Sequence, residues 1–141
     1  MKSFFAFAEK LKEINIPMAD DLGFRIDKLA EELLEYAAHP SHSTEGQKEF
    51  RDVLVVTALL CNVRGVENSN SGKARNVFEC GALIQKTRGA FREKRFSLAG
   101  YWSILDGLIA DMVISVCSTN YDFKEFYRLA VDKVAGEFGE R

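Results

Sequence analysis

Hydrophobic positions recur every three or four residues along most of the chain, the spacing of one face of an α-helix. No segment shows the alternation of polar and apolar residues that marks a β-strand. Both prolines, Pro17 and Pro40, fall between periodic segments, where they cost no helical hydrogen bond. The sequence therefore predicts an all-α protein, a helical bundle of antiparallel neighbours. The predicted helices cover residues 2–14, 22–38, 46–64, 73–95, 98–118 and 122–139.

Length and composition indicate a single domain spanning residues 1–141, with 47% hydrophobic and 28% charged residues. The net charge of -2 argues against a nucleic acid polymer as partner. The first predicted helix carries too many charges for a signal peptide or a membrane span. Cys61, Cys80 and Cys117 are widely spaced in apolar sequence and are expected to be reduced core residues. We expect a cytoplasmic protein that does not bind membranes.

Two acidic pairs stand on consecutive predicted helices, Glu32 with Glu35 and Glu49 with Asp52. Residues three apart lie on the same helix face, one turn above the other. If the two helices pack side by side, the pairs can form an all-oxygen site for a hard cation such as Mg²⁺. This arrangement makes phosphate chemistry the leading hypothesis.

The position of Asp52 strengthens that hypothesis. Asp52 lies nearly in line with the apolar residues Val56, Leu59 and Val63, and a buried acid is costly unless it is paired, protonated or bound to a cation. Glu31 lies nearly opposite the apolar stripe of its helix, so we expect it to face water.

An ordinary structural interpretation stays open. Lys28 has helical spacing to Glu32 and Glu35, so the acids of the second helix can form a solvated face. Glu49 and Asp52 can simply favour the positive N-terminal end of the third helix. Acidic pairs at helical spacing are common, and spacing alone does not decide between the two interpretations.

The run from Lys28 to Glu35, followed after thirteen residues by the run from Glu49 to Leu54, resembles a known family motif. The motif is Glu-x-x-Glu followed by Glu-x-x-Asp, found in the MazG-like all-α nucleoside triphosphate pyrophosphohydrolases. The likeness continues through residues 58–66, where an apolar helix ends in Asn, an apolar residue and Gly. It covers about residues 22–66.

The resemblance implies a MazG-like four-helix core with additional C-terminal helices. It also implies cleavage of a nucleoside triphosphate to a monophosphate and pyrophosphate with Mg²⁺ as cofactor. The implied metal ligands are Glu32, Glu35, Glu49 and Asp52, with Glu31 as a supporting acid. The resemblance further implies a homo-oligomer, a dimer or tetramer, because members of the family build their sites at packed subunits.

The segment from Lys73 to Arg95 is rich in lysine and arginine, which suit phosphate oxygens. Lys86 is the candidate phosphate contact, and Asn62 is the candidate for nucleotide recognition. Each has an ordinary alternative, as an exposed basic residue and a helix-ending asparagine. His39 and His42 lie in a proline-containing connection and are interpreted as loop residues rather than metal ligands.

The motif-bearing core covers residues 22–95, and residues 98–139 form a C-terminal extension. Around Asp111 the extension resembles the second half of the motif, but Leu108 occupies the acidic position, and upstream only Glu79 is acidic. Three interpretations remain: a degenerate second copy, a chance pattern in amphipathic helices, or a true core that lacks its acids.

The last of these interpretations would favour a different class of protein. The alternative function is a non-catalytic helical interaction protein, such as a phage or mobile-element binding factor with a decayed site. The sequence encodes neither base nor sugar preference.

Overall fold

A computed structural model describes residues 1–67 and 75–141 of the chain. These residues contain six α-helices and no strand, apart from an isolated bridge between Ile14 and Glu140. The prediction of an all-α bundle is confirmed. The helices are α1 (Lys2–Leu11), α2 (Leu22–Ala37), α3 (Thr44–Arg64), α4 (Val77–Arg92), α5 (Leu98–Cys117) and α6 (Phe123–Phe138).

Short polar side chains define the starts of five helices by accepting a hydrogen bond from a backbone N–H of the first turn. These N-caps are Asp21, Ser43, Asn76, Ser97 and Asp122. The cap at Asn76 also explains why α4 begins at Val77 rather than at residue 73. The predicted start at Lys73, and the loop 68–72 before it, lie outside the described residues.

The first helix ends at Leu11, three residues earlier than predicted. The residues that follow it form backbone hydrogen bonds with residues 139–141 instead of continuing the helix. After Leu11 the backbone turns, and Asn15 N donates to Gly139 O at 2.9 Å. Arg141 N donates to Glu13 O at 2.9 Å. The segment between α1 and α2 is therefore tied to the end of α6.

The helices pair as two hairpins, α2 with α3 and α4 with α5, and these hairpins pack on each other through α2 with α4 and α3 with α5. Helices α1 and α6 pack against each other and against α3. Residues 53–61 of α3 are buried with the exception of Val55. Helix α3 is thus the centre of the core, and α5, part of the predicted C-terminal extension, packs directly on it.

A glycine sets the close packing of α2 on α4. Gly81 is buried, and a Cβ at this position would overlap Cδ1 of Leu33. The absence of a side chain at Gly81 lets Leu33 of α2 pack directly against the backbone of α4.

Among the described residues, α5 is long and apolar enough to cross a membrane by length and composition alone. Half of its apolar window is buried inside the bundle, and the core helix of a soluble protein passes the same criterion. Cys61 and Cys80 are buried, Cys117 is half-buried, and all three thiols are free.

Candidate metal centre and adjoining pocket

Helices α2 and α3 bring three carboxyl groups together. Glu32 of α2 and Glu49 and Asp52 of α3 each offer an oxygen, and these oxygens lie within 4.8 Å of one another. The three side chains are half-buried. The helical spacing of Glu49 and Asp52 places both on the face of α3 that meets α2. We refer to Glu32, Glu49 and Asp52 as the acidic cluster.

Two oxygens of the acidic cluster are buried without a partner. Glu32 Oε2 and Glu49 Oε2 receive no hydrogen bond from the residues that the structure describes. A buried acceptor without a donor costs about 1–3 kcal/mol, and more when it is charged. The favourable packing of α2 on α3 must offset this free energy, because it holds the two oxygens in place.

The crowding changes the proton affinity of the cluster. Burial raises the pKa of Glu32 to about 8, and the negative charges of Asp52, Glu35 and Glu49 add to the effect. Burial also raises the pKa of Glu49, together with Glu35 and Asp52, while nearby His39 acts in the opposite direction. Near neutral pH the cluster therefore retains a proton unless a cation replaces it.

Glu35 lies at the edge of the acidic cluster. Its side chain is exposed, yet it is close enough to Glu32 and Glu49 for a hydrogen bond to either when one partner is protonated. Glu35 thus has solvent on one side and the cluster on the other.

One cation from a distant helix enters the cluster. Lys133 Nζ of α6 donates to Asp52 Oδ1 at 3.0 Å. Burial lowers the pKa of Lys133, but the hydrogen bond to Asp52 and the charges of Asp52, Glu137 and Glu32 raise it more. One ammonium neutralises one carboxylate and leaves the two orphan oxygens unpaired.

A pocket of about 380 Å³ adjoins the acidic cluster and is lined by both Glu32 and Asp52. This volume is in the range of small-molecule sites. Basic residues around the pocket include Lys28, Lys48, Arg51 and Lys133. Its apolar lining includes Phe24, Val55, Val56, Leu59 and Phe138.

Arg25 holds one wall of this pocket in place. Its guanidinium donates to Pro17 O at 2.6 Å and to Met18 O at 3.2 Å, which fixes the connection before α2. Arg51 of α3 lies over the ring of Phe126, 5.4 Å from its centroid. The pocket therefore combines a rigid wall, basic side chains and an apolar surface beside the carboxylates.

Three predicted site residues lie elsewhere. Glu31 is exposed, as expected from its position on α2, and pairs with Lys28 at 3.1 Å. The amide of Asn62 donates to Ala8 O at 2.9 Å, so it ties α3 to α1. Exposed Lys86 stands on α4, and neither Asn62 nor Lys86 lines the pocket. The Asn62 amide therefore holds α1 against α3, and its contact with a nucleotide stays a prediction.

Among the basic residues of the pocket, the sequence pattern pointed only to Lys28, as a possible partner of Glu32 and Glu35. Lys28 and Lys48 each precede a cluster acid, Glu32 and Asp52, by four residues, a spacing that places both on one helix face. This signal was available. Lys133 lies 81 residues from Asp52, and no local spacing connects them.

A second acid sits in α5, in the part of the chain that resembles the second half-motif. Asp111 is buried and its Oδ2 accepts from Arg75 Nη1 at 2.5 Å. Leu108, at the acidic position of the motif, is buried in the core. Among the residues that the structure describes, Asp111 belongs to no cluster of three metal-binding side chains.

The acidic cluster fits a hard divalent cation. Its donors are all oxygen, and two of them are buried acceptors that such an ion would satisfy.

No protein-family model, curated protein or solved structure matches the chain.

Proposed function

We propose that the chain is a Mg²⁺-dependent nucleoside triphosphate pyrophosphohydrolase of the MazG-like kind. The observation that carries the proposal is the pair of orphan oxygens, Glu32 Oε2 and Glu49 Oε2, in an acidic cluster that adjoins a basic pocket through Glu32 and Asp52. The orphan carboxyl oxygens suit a divalent cation, and the basic side chains of the adjoining pocket suit phosphate groups. A nucleoside triphosphate bound with Mg²⁺ brings both.

Glu32, Glu49 and Asp52 are the residues that would hold the metal. When bound, Mg²⁺ neutralises phosphate oxygens and lowers the pKa of a coordinated water. Glu35 touches the cluster and also reaches solvent, so its carboxylate can orient the attacking water and take its proton. The ordinary ligand-free state keeps a proton on Glu32 in place of the ion.

The pocket accounts for the rest of the substrate. Lys48, Arg51 and Lys133 supply positive charge for a triphosphate chain. Phe24, with the aliphatic residues Val55 and Leu59, offers an apolar surface for a flat base. The pocket thus offers basic side chains for the phosphates of a nucleotide and apolar side chains for its base.

The proposal includes self-association into a dimer or tetramer. Leu34 of α2 is 74% exposed although it is apolar, and Phe78 of α4 is also exposed. Exposed apolar side chains on adjacent helices are suited to a subunit contact. Size-exclusion chromatography with light scattering tests this part directly.

The activity is tested by measuring pyrophosphate release from the ribo- and deoxyribonucleoside triphosphates with and without Mg²⁺. Glu32→Gln and Asp52→Asn should each lower kcat/KM by about 100-fold, equivalent to about 2.7 kcal/mol of transition-state stabilisation. Both replacements preserve shape and remove one negative charge.

The matched controls are Glu9→Gln on α1 and Asp132→Asn on α6, which remove the same groups from exposed positions outside the pocket. These should retain wild-type rates. Activity that survives both cluster substitutions contradicts the site, and a chain inactive on every triphosphate favours the non-catalytic interaction protein.

A further inference from the structure

Lys133 occupies an unusual position, because it is both a partner of the acidic cluster and a wall of the pocket. Its ammonium bonds Asp52 Oδ1 at 3.0 Å, while 44% of its side chain remains exposed. Its neighbours Ala130 and Val134 are buried, so the backbone of α6 is held in place. The flexible stem leaves the ammonium free to change partners.

The pairing with Asp52 conflicts with a metal ion. A divalent cation that uses Glu32, Glu49 and Asp52 must lie close to the oxygens that are within 4.8 Å of one another. Two cations that share the Asp52 carboxylate repel strongly at such distances. An ammonium also satisfies neither Glu32 Oε2 nor Glu49 Oε2. A divalent ion held by all three carboxylates would therefore compete with the lysine for Asp52.

A Lys133 ammonium that leaves Asp52 stays at the pocket, where it can meet other charged groups. The pocket that Lys133 lines contains Lys48 and Arg51, which suit an anion, and also the carboxylate of Glu137, one turn further along α6. Lys28, another basic residue at this pocket, is engaged with Glu31 at 3.1 Å. An oxygen of a bound polyphosphate would supply the partner that Lys133 loses.

We propose that Lys133 is an exchangeable cation that leaves Asp52 when Mg²⁺ binds and then contacts the phosphate chain of the substrate. This inference rests on the proposed function. The exchange couples the two ligands: metal binding frees the lysine, and the lysine strengthens nucleotide binding only after the metal has arrived. Such coupling is reciprocal by thermodynamic necessity.

The substitution Lys133→Met tests the exchange, since methionine keeps much of the apolar stem and removes the charge. The variant should bind Mg²⁺ alone at least about threefold tighter, because it removes a competing surface ion pair. With Mg²⁺ saturating, it should bind the α,β-methylene analogues of ATP, GTP, CTP and UTP about tenfold more weakly, because a charge-assisted phosphate contact is lost. Isothermal titration calorimetry measures both quantities.

Lys124→Met is the matched control, because it removes the same charge from the same helix at a position that lines a different pocket. It should change neither affinity. Lys133→Arg keeps the charge and should restore a substantial part of analogue binding. Circular dichroism melting verifies that each variant is folded.

The opposite signs distinguish the possible outcomes. If Lys133→Met leaves both affinities unchanged, or weakens both, the exchange is wrong while the proposed function stands. If wild-type chain binds no Mg²⁺ in the first titration, the proposed function and the exchange are both wrong.

Discussion

The two hairpins of the bundle treat acidic residues in opposite ways. In α5, Asp111 is 6% exposed and pairs with Arg75, so the buried charge is balanced. Between α2 and α3, three carboxyl groups lie together, and Lys133 bonds one of them, while two oxygens find no donor among the described residues. A buried acid that is paired with an arginine needs no ligand to remain in the folded structure. An unbalanced cluster is retained at a cost in stability, which a cation can remove.

The largest loss of stability is expected on substitution of Asp111, the buried partner of Arg75. Asp111→Asn leaves the Arg75 guanidinium without its counter-ion and should destabilise the protein by about 3 kcal/mol. The same change at Asp52, whose partner Lys133 is more exposed, should cost less than about 1 kcal/mol. Urea unfolding measures both. Equal losses at the two positions would contradict the contrast.

A double substitution sharpens this result. Arg75→Met combined with Asp111→Leu removes both charges and replaces them with apolar groups. It should recover most of the stability lost in Asp111→Asn, because the guanidinium that lacked its counter-ion is removed as well. A double variant that is less stable than the single one would assign Asp111 a role beyond the ion pair.

Mg²⁺ should stabilise the folded protein by binding at the acidic cluster and not at the pair of Asp111 and Arg75. At a concentration of 100 times its Kd, the ion should add about 2.7 kcal/mol to the free energy of unfolding. Glu32→Gln should abolish the gain, and Asp111→Asn should leave it intact although that variant starts from a lower stability. A shift of the melting temperature that persists in Glu32→Gln would place the ion elsewhere.

The acidic cluster also predicts a pH dependence in the absence of metal. Burial and neighbouring acids raise the pKa of Glu32 to about 8, above the value of an unfolded chain, so the native state binds this proton more tightly. Its contribution to stability is present below the unfolded pKa and is lost as pH rises toward 8. We expect a loss of about 1–2 kcal/mol, reduced by partial solvation.

Unfolding in EDTA between pH 5 and pH 8.5 measures this loss. Glu32→Gln resembles the protonated acid at every pH, so its stability should fall less steeply, and saturating Mg²⁺ should flatten the wild-type curve. Parallel curves for wild type and Glu32→Gln would show that Glu32 does not titrate in this range.

The smallest expected effect concerns Glu31, which adjoins Glu32 in sequence but lies on the exposed face of α2. Its ion pair with Lys28 is solvated, so Glu31→Gln should change stability by less than about 0.5 kcal/mol. Mg²⁺ affinity should also stay within about twofold of wild type by calorimetry. A larger effect would include Glu31 in the cluster, as the family resemblance implies.

The sequence predicts the parts of this protein that depend on helical periodicity. The apolar repeat was sufficient for six helices, and the spacing of Glu49 and Asp52 was sufficient to put both on one face. Helix ends were less accurate, because Asn76 caps α4 and the bridge between Ile14 and Glu140 ends α1 early. Local competition of this kind is weakly encoded in a periodic pattern.

The parts that depend on distant contacts could not be predicted. Lys133 reaches Asp52 across 81 residues, and the Asn62 amide donates to Ala8 O, 54 residues away. Both interactions follow from the packing of α1 and α6 on α3. A sequence pattern predicts which side chains share one face of a helix. The residues that this face contacts on other helices are known only from the tertiary structure.

The most direct test of the account is a crystal structure of the chain soaked in Mn²⁺, with anomalous scattering to locate the ion. The account predicts one strong site bound by Glu32, Glu49 and Asp52, with metal–oxygen distances near those of Mg²⁺, about 2.1 Å. The Lys133 ammonium should then have left Asp52. An acidic cluster that stays free of metal, with Lys133 still bonded to Asp52, would contradict it.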